Sequence, residues 1–412
     1  MLYRLLKKIY QYLNGAAVHG TGNLEMPLEA QKEFLKRFDE PADDYQRSYY
    51  KYKCFTQYCY YGRSWQLFFF NAAAMLIYPF LHAKLRRRGK SAPAAEEIFD
   101  AVIENVPRLP NTDVIPDEVL QEYPKIKDIT EMNYASGYLS DDAEEICREL
   151  KKRYFWSFYF RLITMLKLGQ FSMYLGKYKP KAIAFYSVER EFAGPLQTKL
   201  CEMQGAKYIS FMHGDYLYAL CFAFQRYSLY YTWDEAYNRM FESLRCDFPM
   251  QVYNPKKLQG IAKKLDDHEC SFFATYYFSA ETRACAERIH EVFECFMNAG
   301  LKCKIRPHPR FSDVAMLRKV FSDMEMENTS EYSLEKSIED SLYIVGLNTT
   351  VLSQAYFSGK NVVIDDVSKP EEYRELGNKG YIMLNRPHRL LSDLAADIKN
   401  NCPYDTSYKF KM

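Results

Sequence analysis

From residue 98 onward the chain alternates short apolar runs with stretches of helical period. IFDAVIEN (98–105) reads as a short buried strand, and Pro107, Pro110 and Pro116 mark loops after it. DDAEEICRELKK predicts a helix over 141–152, with Ser140 or Asp141 as its cap, and another helix covers 154–175. KAIAFYS (181–187), KYISFMHG (207–214) and YSLYYTW (227–233) read as strands with their exits. EFAGPLQTKLCEMQG (191–205) and DEAYNRMFESLR (234–245) read as helices. The segment 247–260, with Pro249 and Pro255, reads as a linker, after which the rhythm restarts. Strands are expected at 269–278, 301–310, 341–348 and 360–366, and helices at 280–300 and 349–359, Ser279 serving as N-cap of the first. Residues 1–95 read mainly as helices. The fold class that follows is α/β, with two Rossmann-like lobes and a helical N-terminal region. The divisions fall at 1–95 (helical, part of the first lobe), 96–255 (first lobe) and 256–412 (second lobe). Ligands of such sheets bind beyond the carboxyl ends of the strands, and in a two-lobed protein the cleft between lobes is the expected place.

The length of 412 residues is ample for this reading. With 55 Lys+Arg against 53 Asp+Glu, the chain lacks the basic excess that phosphate-backbone binding needs, so no nucleic-acid partner is expected. The 11 cysteines are scattered, without CxxC or zinc spacing, and many sit in apolar runs; they read as reduced, buried thiols of a cytosolic protein. MLYRLLKKIYQYLNG at the start does not read as a signal peptide, because charges recur inside its apolar run and no A-x-A site follows.

Aromatic residues make up 16% of the chain, concentrated in 45–80, in 154–175 and in the strands. The run SWQLFFFNAAAMLIYPFLHA (64–83) has no formal charge and is followed by KLRRRGK. Its length just suffices to span a bilayer, but Gln66, Asn71, Pro79 and His82 make it a poor insertion segment. A core helix with a solvated basic end is the leading reading, both for this run and for 151–181. Docking on an anionic inner leaflet is the alternative, and peripheral association with the inner face of the cell membrane would follow from it.

Three groups of residues fall at expected strand exits. Arg306-Pro307-His308-Pro309-Arg310 follows the strand at 301, and its prolines stiffen a loop that presents guanidinium and imidazole groups suited to a phosphate. Gly346-Leu347-Asn348-Thr349-Thr350 joins a strand to a helix N-terminus, which is either an anion site or an ordinary cap. His213-Gly214-Asp215 follows the strand at 207, and Glu189, Arg190 and Glu191 follow the preceding one. His213, Glu189, Glu191 and Asp215 are the candidate general bases. No GxGxxG, Walker A or Gly-x-Ser-x-Gly occurs, and no metal site is expected; Asp365-Asp366 reads as the close of a strand.

His308-Pro309, the Thr349-Thr350 pair and the His213-Gly214 turn, set in two Rossmann-like lobes, resemble motifs of the GT-B glycosyltransferases of bacterial surface polysaccharides. Closest in pattern are the sialyl- and polysialyltransferases, the capsular Kdo transferases and the CDP-glycerol-type polyol-phosphate transferases. The polyol-phosphate transferases carry Asp-Tyr-Ser-Ser where this chain has Leu347-Asn348-Thr349-Thr350. The resemblance implies a metal-independent transferase with no cofactor beyond its substrate, a nucleotide-sugar donor, first an acidic sugar on CMP. The acceptor would be a surface glycan or its lipid-linked precursor. Arg306, His308, Pro309, Arg310, Asn348, Thr349, Thr350 and Ser279 would hold the nucleotide, with His308 also assisting the leaving phosphate. Transfer of a polyol phosphate from a CDP-alcohol is the alternative within that class, and a non-catalytic glycan-assembly protein of the same fold is the alternative outside it.

Overall fold

The computed structural model describes residues 26–90, 97–104, 115–129, 137–186, 189–212, 214–253, 270–279 and 281–400. The expectations for the N-terminal 25 residues, for His213 and for linker residues 254–260 lie outside them. The chain divides into two units, Met1–His213 with Tyr218–Tyr253, and Gly214–Leu217 with Asn254–Met412. Both are α/β and Rossmann-like, each built on a six-stranded parallel sheet.

The first unit opens with helices α1 (Leu28–Leu35), α2 (Asp44–Cys59) and α3 (Ser64–Lys90). Its strands are β1 (Ala101–Glu104), β2 (Ile126–Ile129), β3 (Ala182–Tyr186), β4 (Lys207–Phe211), β5 (Leu229–Thr232) and β6 (Met250–Val252), in the order β2-β1-β3-β4-β5-β6. A short helix, α4 (Asp117–Glu122), links β1 to β2. Met250–Val252 falls inside the stretch read as linker; three residues behind Pro249 carry no apolar run, and pairing with β5 makes them a strand.

Helix α5 (Asp141–Arg153) starts where expected, with the Ser140 hydroxyl accepting from the Ala143 N–H at 3.3 Å. Acidic residues in its first turn and basic ones in its last complement the helix dipole. Helix α6 (Phe158–Tyr178) is buried along most of its length. The reading of 151–181 as a core element therefore holds for α6, whereas Phe155 and Trp156 just before it are exposed. Helices α7 (Gly194–Met203) and α8 (Glu235–Ser243) follow β3 and β5, Asp234 capping the second.

The aromatic excess goes largely into this unit's interior. Phe171, Phe185 and Tyr208 meet edge to face, and Tyr227, Tyr230, Phe241 and Phe248 continue the cluster with centroids 5.1–5.8 Å apart. Among the cations enclosed in this unit, Lys51 is the most completely buried. The Lys51 ammonium on α2 has no solvent exposure and donates to the carbonyl oxygens of Glu189 (2.7 Å), Cys221 (3.2 Å), Phe222 (3.4 Å) and Ala223 (3.5 Å).

The second unit alternates strand and helix throughout: β7 (Phe272–Tyr277), α9 (Arg283–Asn298), β8 (Cys303–Arg306), α10 (Val314–Val320), β9 (Glu325–Met326), α11 (Leu334–Glu339), β10 (Ser341–Gly346), α12 (Thr350–Phe357), β11 (Asn361–Ile364), α13 (Pro370–Asn378), β12 (Arg389–Leu390) and α14 (Leu391–Asn400). The strand order is β12-β11-β10-β7-β8-β9, so the direction of winding reverses between β7 and β10. That reversal opens a crevice at the carboxyl ends of those two strands. Ser279 does not cap α9; the Thr282 hydroxyl does, accepting from the Cys285 N–H, because the chain runs three residues further before it turns helical.

The ten cysteines among the described residues form no disulfide. Burial raises the thiol pKa values of Cys54, Cys147 and Cys201 far above the ordinary range and pushes Cys303 up to about 12.

Candidate functional site

The carboxyl edge of the second sheet brings three loops side by side, because β8, β7 and β10 are neighbours. After β8, Pro307 is buried and His308 half-buried, while Pro309 and Arg310 are exposed. The His308 Nδ1 accepts from the backbone N–H groups of Arg310 (3.1 Å) and Phe311 (3.3 Å), and its ring stacks on Phe311 at 4.5 Å. Burial lowers the His308 pKa, and the neighbouring Arg310 charge lowers it further. A neutral ring whose Nδ1 accepts carries its proton on Nε2. His308 is thus a fixed Nε2–H donor rather than a proton acceptor.

The loop is pinned toward the exit of β7. The His308 N–H donates to Ser312 Oγ at 2.8 Å, and that hydroxyl donates to a Glu281 carboxylate oxygen at 3.2 Å. Burial raises the Glu281 pKa, which the Ser312 bond partly offsets. Glu281 was not among the residues singled out from the sequence. Its only signal there was its place two residues past Ser279, which is itself half-buried beside it.

Arg306 departs from expectation. Its guanidinium is buried and donates to Glu327 (2.5 Å) and to the carbonyls of Tyr332 (3.0 Å) and Ser333 (3.3 Å). Lys304 pairs with the same carboxylate at 2.6 Å and lies over the rings of Phe272 and Tyr332. Arg306 therefore belongs to a buried ionic core under the sheet edge, and Arg310 is the cation of this loop that faces solvent.

After β10, Thr349 caps α12 by accepting from the Val351 N–H at 3.4 Å. Asn348 and Thr350 are exposed at the helix start, and Leu347 is buried beneath them. Space is tight at Gly346: a β-carbon there would lie 3.0 Å from Thr349 Cγ2 and 3.4 Å from the Tyr277 carbonyl oxygen. The same helix carries Ser353, fully buried, whose hydroxyl donates to both carboxylate oxygens of Asp215 at 2.9 Å. Tyr381 and Arg386, also not singled out from the sequence, complete this group. The buried Tyr381 phenol is held far above its ordinary pKa, by desolvation first and the Asp215 charge second. Arg386 lies 4.7 Å over the rings of both Tyr356 and Phe357. Asp365 and Asp366 close β11 as expected: Asp365 accepts from Tyr276 Oη at 2.6 Å and from the Val367 and Ser368 N–H groups, and Asp366 accepts from Ser392.

In the first unit the two glutamates stand apart in character. Glu189 is 3% exposed and accepts from Tyr230 Oη at 2.9 Å, with Lys51 bonded to its carbonyl oxygen. Glu191 is half-buried and paired with the buried Lys167. Arg190 lies 5.7 Å over the Phe222 ring. As placed, Glu189 serves the core rather than solvent. Of the four candidate bases only Asp215 and Glu191 combine partial exposure with a described position, and both are engaged by a neighbour. Among the described residues no group of three or more His, Cys, Asp or Glu is gathered as a metal site would require.

No family model and no curated protein matches the chain. Several solved structures are similar to it at low identity. The UDP-GlcNAc 2-epimerase of Methanocaldococcus jannaschii in complex with UDP-GlcNAc and UDP is 10% identical, over 76% of this chain and 94% of that one, with a TM-score of 0.40. MnaA of S. aureus with UDP is 12% identical, over 74% and 88%, with a TM-score of 0.43. The wall teichoic acid polymerase TagF with CDPG is 9% identical, over 81% and 88%, with a TM-score of 0.41.

Proposed function

We propose that the chain is a GT-B-type glycosyltransferase whose second unit binds a nucleotide-sugar donor. The observation that carries this is the switch point of the second sheet. There the Nε2–H of His308, the exposed Arg310 and the amino end of α12 with Asn348, Thr349 and Thr350 stand on neighbouring strand exits. Each is a donor or a positive end, and the Glu281 carboxylate at the neighbouring exit of β7 is engaged by the Ser312 hydroxyl. A nucleotide phosphate matches that set, and these groups would also take up the charge that develops on the leaving phosphate. Support for a cytidine nucleotide comes from the His308-Pro309 and Thr349-Thr350 motifs. The sugar is first an acidic one from CMP, and the acceptor a surface glycan or its lipid-linked precursor. His213 or Asp215 would take the acceptor proton, with Ser353 orienting the Asp215 carboxylate.

The test is a thermal-shift panel of CMP, CDP, UDP, GDP and their sugars. A ligand at one hundred times its dissociation constant stabilises by about 2.7 kcal/mol. CMP and a CMP-sugar are expected to give the largest shifts. His308→Ala should weaken the best ligand by at least about tenfold, the worth of one hydrogen bond to a charged group. A CDP-alcohol as the best ligand would move the reading to polyol-phosphate transfer. Silence across the whole panel would leave a non-catalytic assembly protein of this fold.

A further inference from the structure

Helix α3 has two apolar faces and needs only one. Ala74, Tyr78 and Leu85 are buried on its inner side, where the helix packs along α6. Asn71 is tied to the Trp156 carbonyl and the Tyr159 N–H, both at 3.0 Å, and His82 reaches Glu144 at 2.9 Å. The outer side should then be polar, and it is not. Trp65, Phe68, Phe69, Leu76 and Phe80 are each 60–77% exposed, with spacing that places them along one stripe for more than four turns. Trp156, 76% exposed, extends the patch through its bond to Asn71. Lys84, Arg87 and Lys90 continue the stripe in the last turns and are exposed, and Ser64–Lys90 contains no Asp or Glu.

We infer that this stripe is a docking surface for an anionic membrane, with α3 lying in the plane of the lipid headgroups. The rings would enter the acyl boundary, and the basic turns would meet the headgroup charge. By length and composition the helix suffices to cross a bilayer. Its inner face, however, is one wall of the first unit, held by the Asn71, Tyr78 and Leu85 contacts. A transverse position would strip those contacts away, whereas an in-plane one keeps them. A second copy of the chain fits less well, because its stripe offers no carboxylate to meet the basic turns of this one.

The three tryptophans make the test direct: Trp65 and Trp156 lie in the patch, and Trp233 is 2% exposed in the core. The full chain is mixed with phosphatidylcholine vesicles, with or without about one-third phosphatidylglycerol, and with acyl-brominated versions of each. Cosedimentation is expected with the anionic vesicles at low salt, with bromine quenching most of the emission of Trp65 and Trp156 but not that of Trp233. Phe68→Ser/Phe69→Ser/Phe80→Ser should weaken partitioning at least about tenfold, since three rings no longer leave water. Lys84→Glu/Arg87→Glu should weaken it about fivefold or more per charge, only on anionic vesicles. All five positions are exposed, so unchanged thermal midpoints and Trp233 emission show that the variants are folded. Absent binding, binding without quenching, or equal binding to neutral vesicles overturns the inference. So does a dimer in sedimentation equilibrium whose formation the triple serine variant abolishes. None of these readings depends on whether a nucleotide binds.

Discussion

Glu327→Leu is expected to unfold the second unit, with a loss of about 3–5 kcal/mol. The Glu327 side chain is 3% exposed and holds two cations, Lys304 at 2.6 Å and Arg306 at 2.5 Å, themselves 1% and 9% exposed. Leucine fills similar space but leaves both charges unpaired under the sheet. Pairing gains little net energy in a low-dielectric interior, whereas losing one partner is severe. The compensated variant Lys304→Met/Arg306→Met/Glu327→Leu should therefore recover much of the stability, since no charge is then left alone. Urea titration by far-UV circular dichroism reads the loss. All three tryptophans lie in the first unit, so their emission separates failure of the second unit from collapse of the whole chain. An unchanged midpoint for Glu327→Leu would mean that the three charges do not depend on one another.

Lys51→Met should cost about 2–4 kcal/mol in the first unit, because it strips the shared donor from four enclosed carbonyl groups. The substitution also removes a buried charge, and that relief makes the pH dependence distinctive. Burial lowers the Lys51 pKa to about 8 from an ordinary value of 10.5. Between those two values the unfolded chain binds more protons than the folded one at this site, so wild-type stability gains as pH rises through the window. The gain is about 3 kcal/mol when complete. Buried tyrosines and thiols act in the opposite direction and cancel in the comparison, except Cys54, Cys221 and Cys246, whose pKa values the Lys51 charge lowers in the wild type alone. The gap between wild type and Lys51→Met is thus expected to widen from pH 7.5 to pH 9.5 in parallel denaturant titrations. A gap that stays constant would show that Lys51 does not titrate in that window.

The sequence made the central strands plain, because β10 and β11 are buried on both faces and read as nearly continuous apolar runs. It did not show β2, β6, β9 or β12. These hold two to four residues each, several of them charged or polar and facing solvent, and only pairing with a neighbour makes them strands. The same locality decided the site. The local setting of His308 and Thr349 was legible because it depends on residues within three positions of them. Arg306 and Glu189 were not, because the partners that draw them inward, Glu327 and Tyr230, lie 21 and 41 residues further along. Helix α3 was ambiguous for another reason. A helix with two apolar faces has no polar side to say which way it turns, so burial of one face and exposure of the other emerge only from packing against α6.

The enclosed cysteines give the protein a built-in reporter of its own opening. Thiolates attack alkylating reagents, and thiols kept neutral and out of contact with solvent in the folded state react only when the surrounding segment opens. Cys54, Cys147 and Cys201 sit in the first unit and Cys303 in the second. The order in which these four sites become labelled under mild denaturant would therefore record which unit loosens first, residue by residue and without any engineered probe.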